Sequence, residues 1–155
     1  MTKAKPTMKE QELKSEHLIG YLLHGLKMSI NKHNEVDLRI GLLKTLHYNE
    51  VTATVEINSP DITMNIALTD CKPVLLPLSD YTKEIEQNGV KFKAAERLAL
   101  HLDDWDLHRY ILSGKTEGLP FWIVQKLFEW KFDVFNLIGK NLAISVHELS
   151  KNPYK

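Results

Sequence analysis

The feature that most constrains this chain is a change of hydrophobic period near its middle. From residue 26 to residue 78 apolar side chains fall on alternate positions in short runs, the period of half-buried strands. Residues 26–30 alternate, as do 36–40, and Leu42, Leu43 and Leu46 prolong the second run past Gly41, which we read as a bulge. Residues 51–57 form the cleanest strand, β-branched and strictly alternating. Runs at 62–68 and 74–78 complete a set of four or five strands. Polar turns separate them, at 31–35, at 47–50 and at Asn58-Ser59-Pro60-Asp61, where Pro fixes φ and Asn and Asp tolerate tight conformations. Strands this short, about ten residues apart, predict a small antiparallel sheet or barrel-like unit with one wet and one buried face.

Beyond residue 79 the pattern turns helical. Ser79 or Asp80 can cap a brief turn, and Gln87-Asn88-Gly89-Val90 reads as a hairpin turn leading into 91–93. Residues 94–102 are rich in helix formers, and Asp103 with Asp106 resembles an N-cap pair ahead of Trp105, Tyr110, Ile111 and Leu112. Pro120 sits at the first turn of the strongest helix, whose Phe121, Trp122, Ile123, Val124, Leu127, Phe128, Trp130 and Phe132 make it apolar on most sides. Such a helix belongs in the middle of a structure. A last turn follows at 133–139, and 142–146 reads as a terminal strand. The fold class expected is α+β: a lead-in at 1–12, a β-rich unit at 13–78 and a mainly helical part at 79–155 that shares its core.

Composition narrows function more than fold. The 155 residues carry 20 Lys plus Arg and 20 Asp plus Glu, and residues 1–77 hold nine of each sign. No half of the chain supplies the field that draws nucleic acid nonspecifically. The one cysteine, Cys71, forbids an intrachain disulfide and reads as a small filler residue. Residues 1–14 lack the apolar core of a signal peptide, and no apolar run approaches the ~20 residues of a membrane span. A soluble, cytoplasmic protein is expected.

Few residues suggest chemistry. On one continuous helix His101, Asp104 and His108 would share a face, and two His with a carboxylate suit Zn²⁺ or Fe²⁺. Capping by Asp103 would place His101 before the helix, so no metal and no cofactor is expected. His17 and His24 flank apolar residues and read as hydrogen-bonded structural histidines. There is no nucleophile elbow, no G-x-G-x-x-G and no P-loop, so catalysis is not expected. Lys27, Lys32, Arg39 and Lys44 lie among the strands, but Tyr48 is the only aromatic between Leu26 and Leu78. A base-stacking platform is therefore poorly supplied, and a solvated face of mixed charge is the plainer reading. Phe121, Trp122 and Trp130, with Phe128, can be core or interface, and core is the plainer reading.

Several stretches resemble small proteins encoded by phages and prophages of Bacteroidetes-type bacteria. They are Leu13-Lys14-Ser15-Glu16-His17-Leu18 with Tyr21 and Gly25-Leu26-Lys27, then Pro73-Val74-Leu75, LPLSDYTKEIEQNGVKF at 76–92, and LPFWIVQKLFEWKFDVFNLI at 119–138. Residues 28–72 look like the variable part. The resemblance carries no active site and implies a bacterial cytoplasmic setting. By analogy it implies a non-enzymatic accessory protein that binds a host protein or ribonucleoprotein, with inhibition of a CRISPR RNA-guided nuclease as the leading expectation. Partner contact is then expected through Lys27, Lys32, Arg39, Lys44 and Tyr48, with RNA or DNA touched through the partner. The alternative is a nucleic-acid-binding accessory protein of phage replication or transcription.

Overall fold

The computed structural model describes residues 12–30, 39–47, 52–57, 63–99 and 105–155. A single α-turn, α1 (Ser15–Leu18), runs into a 3-10 segment at Ile19–His24. Five strands follow: β1 (Lys27–Ile30), β2 (Arg39–Leu46), β3 (Thr52–Ile57), β4 (Thr63–Ala67) and β5 (Cys71–Leu75). Next come the hairpin β6 (Glu84–Gln87) and β7 (Val90–Lys93), then helices α2 (Ala94–Ala99), α3 (Trp105–Leu112) and α4 (Phe121–Glu129), and the short strand β8 (Ile144–Ser145). The chain is α+β, with the sheet formed mainly by its N-terminal half.

The large sheet has the order β4-β3-β2-β1-β5-β8 and is open. Its first five strands pair antiparallel, while β5 and β8 run parallel. Alternation does what the sequence predicts in β3, where Ala53, Val55 and Ile57 are buried and Thr52, Thr54 and Glu56 are half-buried. The expected fifth strand at 74–78 lies earlier, at Cys71–Leu75. The expected terminal strand shrinks to the two residues of β8.

The bulge sits at Lys44, where the β2–β3 register shifts between Leu43 and Thr45, and not at Gly41. Gly41 has another reason to be glycine. A Cβ there would lie 2.3 Å from Val55 Cγ1 and 2.9 Å from the Glu56 carbonyl oxygen, so its absence lets β2 and β3 approach.

Two apolar clusters fill the interior. The first gathers Met28, Ile30, Leu43, Val55 and Cys71 under Leu18 and Tyr21. The second gathers Ile85, Leu98, Ile111, Ile123, Leu127 and Phe132. Strand β5 joins them, since Leu75 belongs to the first and Val74 to the second, and Phe128 packs against both. Helix α4 is not central, contrary to its all-round apolar sequence. Only Ile123 and Leu127 are buried within it, and its first turn exposes Phe121 (73%) and Trp122 (39%).

Candidate ligand cleft

Helix α4 ends in a Schellman motif. The N–H of Lys131 donates to the Phe128 carbonyl at 3.0 Å and that of Phe132 to the Leu127 carbonyl at 2.9 Å. This requires a left-handed residue in between, normally glycine; here Lys131 takes it, with φ +61°. The following backbone is held on two sides. The Leu76 N–H donates to the Lys131 carbonyl at 2.8 Å and the Asp133 N–H to the Leu76 carbonyl at 2.9 Å. The buried Tyr21 hydroxyl donates to the Phe132 carbonyl and accepts from the Val134 N–H.

The far end of the chain packs beside this turn. Tyr154 is buried, its hydroxyl donates to the Val74 carbonyl at 2.6 Å, and it accepts from the Lys27 N–H at 2.9 Å. Burial raises its pKa, so the phenol remains a donor. The Gln87 amide donates to the Trp130 carbonyl at 2.6 Å, which ties the β6–β7 hairpin to the end of α4. Phe92, from β7, lies 5.5 Å from the Trp130 ring, and the Arg97 guanidinium caps Phe92 at 3.7 Å from the ring centroid.

These segments enclose an open cleft of about 710 Å³. Lys27, Arg97 and Lys131 line it, and among its described lining residues Glu129 carries the side-chain carboxylate. Glu129 already accepts from Lys126 at 3.1 Å. Lys155, also in the lining, lies 4.0 Å from Glu86. Among the described residues, none of Lys27, Arg97 and Lys131 has a carboxylate within salt-bridge distance. Lys131 is only 6% exposed, and its ammonium stands 5.1 Å from the centroid of the Tyr154 ring. Burial lowers its pKa, the nearby Glu129 charge opposes that shift, and Lys27 adds to it.

The sequence candidates fare unevenly. Lys27 lines the cleft. Lys44 stands on the bulge, 3.6 Å from Glu56, as part of a mixed-charge surface. Lys32 and Tyr48 lie outside the described residues, as does the side chain of Arg39. Trp130 is 6% exposed and belongs to the core, whereas Phe121 and Trp122 do not, so the core reading fails for those two. His101, Asp104 and the His108 side chain lie outside the described residues; among the described ones no cluster of His, Cys, Asp or Glu is placed to hold a metal.

His17 accepts from the Lys14 N–H at 3.0 Å through Nδ1, the structural role expected for it, while His24 lines the cleft. Cys71 is buried, and burial pushes its thiol up to about 12. A smaller cavity of about 280 Å³ holds the Asp80–His147 pair, with Lys83 3.5 Å from Asp80. No helix among the described residues is long and apolar enough to cross a membrane.

Sequence reasoning missed Arg97, Lys131 and Tyr154. Only Lys131 left a trace, as a charge inside the apolar run Trp130-Lys131-Phe132. Comparison with protein-family models, curated proteins and solved structures finds no match to this chain.

Proposed function

We propose that this protein acts by binding another protein, without catalysis, and that the first turn of α4 anchors the contact. The observation that carries this reading is the exposure of Phe121 and Trp122 at the start of a helix that had apolar positions to bury. A large aromatic side chain as exposed as Phe121 is the usual anchor of a protein interface. Helical spacing puts Phe121 on the flank of Val124 and Phe128, the side on which α4 meets the 3-10 segment. There Gly20 lies so close to Phe128 that a Cβ would sit 2.6 Å from the ring. Ile19 and Leu23 of the same segment are exposed too, Leu23 at 91%, so apolar side chains border the seam from both elements.

The class of partner proposed first is a host defence complex, such as a CRISPR RNA-guided nuclease. Its support is the resemblance of 76–92 and 119–138 to phage and prophage proteins. Of the strand residues expected to recognise the partner, Lys27 lines the cleft and Lys44 pairs with Glu56, while Lys32 and the side chain of Arg39 lie outside the described residues.

The test is quantitative affinity capture from bacterial lysate, comparing wild type with a Phe121→Ser/Trp122→Ser variant of unchanged circular dichroism. A partner enriched by wild type at defined stoichiometry and lost with the variant supports the reading. Equal capture by both proteins refutes it, as does enrichment of nothing.

A further inference from the structure

We propose that the cleft between the end of α4, β1 and the β6–β7 hairpin binds a nucleoside 5′-monophosphate unit, either free or at the 5′ end of a single strand. The site lies at the opposite end of α4 from Phe121 and Trp122 and shares only Leu23 with the proposed interface, and none of its basic residues belongs to that interface.

Charge selects the phosphate. Lys27, Arg97 and Lys131 face a lining whose Glu129 is already engaged by Lys126. A phosphate monoester carries a charge of about −1.5 to −2 at neutral pH and offers three strong acceptor oxygens. It therefore matches the positive charge of the described lining residues, which a single carboxylate would leave partly uncompensated. The Lys131 ammonium has the face of the Tyr154 ring as its neighbour and, among the described residues, no carboxylate within salt-bridge distance, so it can still take an anion.

Backbone cost points the same way. A glycine would end α4 without penalty, and a side chain at left-handed φ costs about 1 kcal/mol. Such strain is concentrated where a side chain has work to do. Here the strained position is the one that delivers an ammonium into the cleft.

Size and wall chemistry select the nucleoside. The cleft is far larger than a phosphate ion and falls within the range of organic ligand sites. Its wall includes Val90 and Phe92, and the Arg97 guanidinium lies over the Phe92 ring, 3.7 Å from the centroid. Bases stack on guanidinium planes as they do on aromatic rings. Asn88, exposed at the hairpin turn beside that wall, supplies an amide able to reach a base edge.

The experiment is isothermal titration of the full chain with AMP, adenosine and inorganic phosphate, and with a short RNA bearing either a 5′-phosphate or a 5′-hydroxyl. Arg97→Gln and Lys27→Gln are the principal variants, since Arg97 is exposed and Lys27 half-buried; Lys131→Met is the third. We expect AMP or the 5′-phosphorylated RNA to bind saturably, with each variant weakening that ligand about tenfold or more. Binding of the phosphorylated strand but not AMP assigns the site to strand ends. Four results overturn the proposal: no saturable binding at millimolar ligand, equal affinity for the dephosphorylated counterpart, neither AMP nor the 5′-phosphorylated RNA tighter than inorganic phosphate, or affinity unchanged in Arg97→Gln and Lys27→Gln.

Discussion

Replacing Lys131 by Met separates a residue kept for its charge from one kept for the fold. Both side chains have a Cβ and an unbranched stem, so the left-handed backbone at φ +61° is equally strained in each. What changes is an ammonium at a site 6% exposed, with no carboxylate within salt-bridge distance among the described residues. Replacing a buried ion pair by well-packed apolar residues of similar volume ranges from neutral to stabilising by about 1–4 kcal/mol. A single ammonium that is not among the fully buried unpartnered groups falls toward the lower half of that range. Against this stands the loss of the cation–π contact with Tyr154, at 5.1 Å from the ring centroid, which is worth about 0.5–2 kcal/mol. The balance favours Met by about 1 kcal/mol at neutral pH.

The pH dependence has a definite sign. Burial lowers the Lys131 pKa below 10.5, so in the interval beneath 10.5 the folded chain has released a proton that the unfolded chain keeps. Wild-type stability therefore rises with pH across that interval, the Met variant lacks the rise, and the advantage of Met shrinks. Guanidinium denaturation with an unchanged m-value measures the difference. A Met variant less stable than wild type by more than about 1 kcal/mol would mean that the ammonium holds the fold together, and the reasoning fails.

His17 gives an acid-side prediction. Burial lowers its pKa, and its Nδ1 accepts the Lys14 N–H only when that nitrogen is unprotonated. The cap is thus intact above 6.5 and is lost as pH falls through the lowered value, so Tm should drop between about pH 8 and about pH 5 less steeply in His17→Ala than in wild type. Parallel curves would refute the role. Gly41→Ala forces a Cβ to within 2.3 Å of Val55 and 2.9 Å of the Glu56 carbonyl; about 1–3 kcal/mol of overpacking less up to ~1 of unfolded-state entropy leaves a net loss of about 1–2 kcal/mol. Adding Val55→Ala should relieve only part of the clash, because the Glu56 carbonyl stays in place, and a neutral Gly41→Ala in chemical denaturation would show that β2 and β3 separate without cost.

The α+β class and most strands were legible because alternation is a local signal, clearest in β3, and because Asn88-Gly89 announces its hairpin turn. The start of α4 was legible from Pro120. Its end was not, since the left-handed residue is Lys131 and the apolar run passes through it without a break. For the same reason the helix looked apolar all round: Trp130 and Phe132 are buried by the turn that follows, not by the helix, while Phe121 and Trp122 face outward. Sheet order, the parallel β5–β8 pair and the bulge at Lys44 depend on contacts between distant segments, which period cannot report. The cleft was illegible on the same ground. Its lysines, arginine and aromatic wall come from β1, β7, α2, the end of α4 and the chain terminus.

That dispersal bears on how the cleft keeps its shape. Lys131 is placed by bonds to main-chain groups: two within the Schellman turn, one from Leu76 to its carbonyl, and the Tyr21 hydroxyl on the next carbonyl along. Leu76 continues from β5, which joins the two apolar clusters, and Tyr21 is buried in the first of them. Both clusters therefore hold the strained turn, and a conformation that would relax in an isolated helix is over-determined here. Since none of these bonds uses the lysine side chain, the ammonium is free to be unfavourable for stability while remaining accurately positioned for a ligand. Sites with this division of labour gain stability and lose binding when the charged group is removed. A lysine serving the fold would lose both together.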